Sequence, residues 1–131
     1  MIGLLATAAA TSVILIPKDT KTYISTSKDY KKCIADCKAC IVACINCNKA
    51  CAKMKDPKMN KCIQLCNETI AICNASVKLM QLNSQNAKEL CLICAKVCEN
   101  CILECNKFDM KECNYCAMAC QKAAMSCKSA M

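Results

Sequence analysis

From Tyr30 onward one small side chain recurs at steps of three and four. It occupies Cys33, Cys37, Cys40, Cys44, Cys47 and Cys51, then Cys62, Cys66 and Cys73, then Cys91, Cys94, Cys98, Cys101 and Cys105, and finally Cys113, Cys116, Cys120 and Cys127. The first group steps 4, 3, 4, 3, 4 and the third 3, 4, 3, 4, which is the alternation of heptad a and d positions, so each group is a stripe along one helix. A strand would need even steps, because a step of three throws successive side chains to opposite faces. The pattern predicts helices at roughly 27–54, 57–82, 87–107 and 110–129.

Boundary residues agree with four such elements. Thr26 or Ser27 can cap the first, with Asp29 in its opening turn, and Asp56 before Pro57 is a cap followed by a first-position proline. Asn86 with Glu89, and Asp109 with Glu112, have capping-box spacing for the third and fourth. Connections this short force antiparallel neighbours. The expected fold is therefore all-α, an up-down-up-down four-helix bundle with a Cys-lined core. Extended past the cysteines, the register places Met54, Met59, Phe108 and Met110 at one end, and Tyr30, Met80 and Ala87 at the other. Ile34, Ile41, Ile45, Ile63, Ile70, Val77, Leu90, Val97 and Ile102 lie beside the stripe, where they can seal it.

Composition narrows the chemistry. The 131 residues include 18 Cys, one Gly (Gly3), two Pro and no His or Trp, with 56% apolar and 21% charged positions. One compact domain is expected at 27–131, preceded by a segment of different composition at 1–26. Without His there is no imidazole-based catalytic pair or proton shuttle, and one Gly cannot build a phosphate-binding loop. All 18 basic residues are Lys, against ten acids, for a net charge of +8. They spread along every helix without Arg, and Tyr23, Tyr30, Phe108 and Tyr115 are the few aromatics, so solvated faces are expected and nucleic-acid binding is not.

Four readings compete for the cysteines. As a mere packing residue Cys is small and would leave nearly every layer underfilled. An even count of 18 permits nine disulfides, but uniform stripes select no particular pairing and disulfide geometry demands one. Five C-x-x-C units, opening at Cys37, Cys44, Cys91, Cys98 and Cys113, lack the βαβ setting of a thioredoxin-like site. Metal is the fourth reading, and an all-thiolate interior suits soft ions. Structural zinc favours isolated tetrahedra from paired knuckles, and iron–sulfur ligation uses local runs, whereas Cu(I) accepts two or three thiolates that bridge neighbouring ions.

Charge favours the same ion. Each thiol that binds loses a proton, so one Cu(I) per thiolate leaves the core neutral, while Zn(II) at four thiolates adds two negative charges per buried site. The expected ligands are the 18 cysteines, with capacity on the order of one Cu(I) per Cys if most sulfurs bridge. Met54, Met59 and Met110 form a candidate thioether port for the ion, set against an ordinary gap-filling role. A zinc or mixed-metal thiolate detoxification protein is the alternative, and a disulfide-stabilised interaction domain a third reading.

The runs CIADCKACIVACINCNKAC and CLICAKVCENCILEC, from about Ser27 to the C-terminus, resemble the bacterial copper storage proteins, a cysteine-rich four-helix-bundle family. The resemblance implies Cu(I) held along the bundle axis, no enzymatic turnover and assembly into a homo-oligomer. Some members carry His near one opening; this chain has none, which leaves the Met-rich end as the substitute port. The positive surface suits docking with an acidic copper chaperone. Residues 1–16, MIGLLATAAATSVILI, are apolar and stop at Pro17. They are short for a membrane span and close to a secretory signal core. They look like the tail of a twin-arginine signal of the kind exported members carry, which favours export slightly over the cytosol. A short helix packed on the bundle is the competing expectation.

Overall fold

The structure, a computed structural model, describes residues 30–130. The apolar segment 1–16, the linker to residue 26 and the expected caps Thr26 and Ser27 lie outside the described residues. Four α-helices fill the rest: α1 at 30–54, α2 at Asn60–Gln81, α3 at Ala87–Cys105 and α4 at Lys111–Ser129. A 3-10 turn, Pro57–Met59, leads into α2.

The termini are set by local chemistry. At the α1–α2 corner the Asp56 carboxylate accepts from the Lys58 N–H at 2.9 Å, and Pro57 supplies the first turn residue. Lys55, at φ 51°, turns the chain out of α1 through the left-handed region. Asn83 does the same after α2 at φ 53°, where the Asn83 N–H donates to the Met80 carbonyl and the Ser84 N–H to the Leu79 carbonyl, a Schellman arrangement. Two expected caps are corrected. Met110, in extended backbone, precedes α4 in place of Asp109. Asn86 precedes α3 but its side chain caps nothing; its N–H donates to the Ser84 hydroxyl instead.

Sulfur contacts define the bundle. Early Cys33 of α1 meets late Cys127 of α4 at 3.3 Å, and late Cys47 meets early Cys113 at 3.8 Å, so α1 and α4 are antiparallel. Late Cys73 of α2 meets early Cys94 of α3 at 3.5 Å, and Cys62 meets Cys105 at 3.7 Å, which makes that pair antiparallel too. Cys51 to Cys62, at 3.9 Å, closes the α1–α2 edge. All 18 cysteines are at most 1% exposed. Hydrocarbon is displaced to the margins: Ile34, Ile41, Ile63, Ile70 and Ile102 are half-buried against the sulfurs, and Val77 is buried. Ile45 departs from its expected sealing place and is 38% exposed.

Candidate metal centre

Each stripe position delivers its sulfur to the same axis, because a three-four step returns a helical side chain to one face. The sulfurs form groups within 4.8 Å of one another. Near the α1–α2 corner lie Cys47, Cys51, Cys62 and Cys113; above them Cys47, Cys66, Cys105 and Cys116; then Cys44, Cys101, Cys116 and Cys120. Toward the Tyr30 end come the trios Cys37, Cys94, Cys127 and Cys33, Cys91, Cys127. Cys40 joins the column at 3.4 Å from Cys120. A metal–thiolate bond of about 2.3 Å separates sulfurs by about 4.0 Å in a trigonal site and about 4.6 Å in a linear one. The observed 3.3 to 4.0 Å contacts are thus near ligand spacing.

Sulfurs are also shared. Cys47 and Cys116 each serve two of the four-thiol groups, and Cys127 serves both trios. A shared sulfur is the geometric requirement for a bridging thiolate. All 18 thiols are free.

The protons are shared as well. Burial, reinforced by Cys47, pushes Cys113 up to about 12. At Cys91 the hydrogen bond with Cys127 pulls downward, but contact with Cys33 and burial outweigh it and raise the thiol to about 12. Cys37 goes the other way, to about 6, because Cys127 and Cys33 donate to it. Donation from Cys105 foremost holds Cys47 near 4. Thiols that keep their protons thereby stabilise thiolates beside them, and among the described residues no Lys or Asp is buried to supply a counter-charge. Glu104, 5% exposed, is the buried carboxylate nearest the seam in sequence, and it pairs outward with Lys107 at 3.0 Å.

The methionines divide. Met59 is buried in the core cluster and Met110 is half-buried against it, with Phe108, whereas Met54 is 53% exposed. Met54 occupies the last turn of α1, immediately before left-handed Lys55, where the chain leaves the bundle axis. A cleft reaches the column at this end past Cys51, Lys55, Asp56 and Asn60, with none of the three methionines in its lining. The α2 register also runs through two hydroxyl residues, to which the sequence assigns no metal role. Thr69 and Ser76 stand where the register would place thiols, and both are fully buried.

A bundle whose four helices bring 18 buried, free thiols to one axis is a metal–thiolate protein with room for many ions. The chain belongs to the copper storage protein family, whose profile matches residues 26–131. The cysteine-rich protein YhjQ of Bacillus subtilis is 41% identical over 71 residues, covering 54% of this chain; the chain spans 66% of that relative's length. Apo copper storage protein 3 from Bacillus subtilis superposes with a TM-score of 0.72 at 39% identity, over 77% of this chain and 97% of that one. Its Cu(I)-bound form gives 0.72 at 38%, over 77% and 96%. A cytosolic copper storage protein from Streptomyces lividans, determined with five coppers, shares the fold at a TM-score of 0.74 and 24% identity, over 81% and 94%.

Proposed function

We propose that this chain stores Cu(I) on the thiolates of its bundle core, with all 18 cysteines as ligands and no catalytic turnover. The sharing of Cys47, Cys116 and Cys127 between adjacent groups carries the reading. A store needs many ions per chain, and shared sulfurs supply more sites than separate tetrahedra would. Monovalent copper fills such a column without accumulating charge in a dry interior, because each ion replaces one proton. Family membership and the Cu(I)-bound Bacillus relative support the same ion. Zinc at four separate thiolates per ion fits the overlapping groups poorly.

Anaerobic titration of the reduced chain against a Cu(I)-specific chelator tests this. Storage requires on the order of one Cu(I) per Cys. Saturation at one ion per four thiolates, or loss of bound copper to a weak chelator at the first equivalent, would overturn it.

Met59 and Met110, buried or half-buried beyond Cys51, and the outlying Met54 serve in this reading as thioether stations for copper passing the α1–α2 end. Exposed Val42, Leu92, Leu103, Met118 and Met125 offer apolar surface for self-association, and the net charge of +8 favours an acidic copper chaperone. The compartment turns on residues 1–16. Export requires their removal as a leader, and residence in the cytosol requires their retention; N-terminal sequencing of the chain from its native cell distinguishes the two.

A further inference from the structure

Ser76 lies on the α2 stripe, three residues beyond Cys73 and four before Met80. It is fully buried, and its hydroxyl oxygen has no hydrogen-bond partner. Thr69, the other hydroxyl on the stripe, donates to the Leu65 carbonyl at 2.8 Å and is thereby satisfied. Leaving a buried hydroxyl unpaired is costly, which marks Ser76 as a residue awaiting a partner.

Its level in the bundle identifies the partner. Cys73 touches Cys94 at 3.5 Å. At a rise of about 1.5 Å per residue, Ser76 stands about 4.5 Å further toward the Tyr30 end. Cys94 is level with Cys73, so a step of three along each antiparallel helix puts Ser76 level with Cys91, in the outer trio Cys33, Cys91, Cys127, which draws its sulfurs from α1, α3 and α4 and none from α2. The α2 quarter of that outer site is therefore a hydroxyl, whereas the inner trio Cys37, Cys94, Cys127 has Cys73 of α2 at 3.5 Å from Cys94. Oxygen is a poor ligand for a soft monovalent ion, but an O–H is a good donor to an anionic sulfur. Three thiolates that have lost all their protons to one Cu(I) carry two negative charges in excess, and among the described residues no Lys is buried here.

We infer that Ser76 is the positioning residue of the outer three-thiol site, donating its hydrogen bond to a thiolate of Cys33, Cys91 or Cys127 once copper has displaced their protons. This rests on the storage reading.

The test uses the full chain, reduced, as wild type, Ser76→Thr and Ser76→Val, since Thr and Val share a shape and differ by the hydroxyl. Three quantities are measured: Cu(I) bound at saturation, the rate of transfer to excess chelator, and the melting temperature of the metal-free protein. All three chains should load equally. Ser76→Val should release one ion, that of the outer trio, on the order of ten-fold faster than wild type, with Ser76→Thr close to wild type and the metal-free Val variant melting no lower. Ser76→Ala, which only removes an atom, carries the same expectation as Val. Ser76→Cys should raise capacity by about one ion by completing the α2 quarter. Equal release from the Thr and Val variants, with wild-type capacity high, overturns this inference alone; low capacity in the wild type overturns the storage reading itself.

Discussion

Cys127 touches Cys33 at 3.3 Å and Cys37 at 3.7 Å and belongs to both trios, whereas Cys91 belongs to one. If bridging sets capacity, the two cysteines are unequal. Cys127→Ala should lower saturating Cu(I) by about two ions and Cys91→Ala by about one, as counted by anaerobic titration. Equal losses would mean that sulfurs act independently. The metal-free thiols also make a pH prediction. Cys91 and Cys113 lie near 12 in the bundle against an ordinary 9.0. Below pH 9 both folded and unfolded chains keep these protons, and the contribution to stability is fully present. Between 9 and 12 the unfolded chain loses protons that the bundle retains, so stability falls as pH rises. The melting temperature of the reduced, metal-free protein, followed by circular dichroism, should decline across that window; a level profile would count against protonated thiols in the core.

The elements separate what a sequence displays from what it conceals. The stripes were legible because a three-four step is a property of one helix, needing no knowledge of its neighbours. The α1–α2 corner was legible too, since Asp56 and Pro57 act through backbone atoms within two residues. The start of α4 was not: Asp109 had the right type and spacing, but Met110 is the residue held extended, at ψ 139°. Nor could the sequence show that Ser76 stands level with Cys91, because levels between helices depend on how the helices slide against each other. Capping predicts that Asp56→Ala costs about 1 kcal/mol in urea denaturation of the metal-free chain. At neighbouring Lys55 the left-handed backbone, φ 51°, costs any residue with a Cβ about 1–2 kcal/mol. Lys55→Gly should therefore be neutral or slightly stabilising, and Lys55→Val, with its branched Cβ, clearly destabilising.

For the whole molecule, the core that stores the ion is also the core that holds the fold together, so capacity and stability are linked. Thiols fill the seam less well than leucine would, and loading replaces contacts of 3.3 to 4.0 Å by bonds that tie the helices to one another. Every ion bound only by the folded chain adds about 4 kcal/mol at a thousand-fold excess over its dissociation constant. The same linkage assigns a limit to residues 1–26. All 18 thiols lie between Cys33 and Cys127, and α1 to α4 already supply every wall of the column. A chain reduced to residues 27–131 should bind as many Cu(I) ions as the full chain and melt at the same temperature in the loaded state. A loss of ions on truncation, with the helices intact by circular dichroism, would mean that the first 26 residues close the Tyr30 end, where the trios have the fewest sulfurs and depend most on what excludes water.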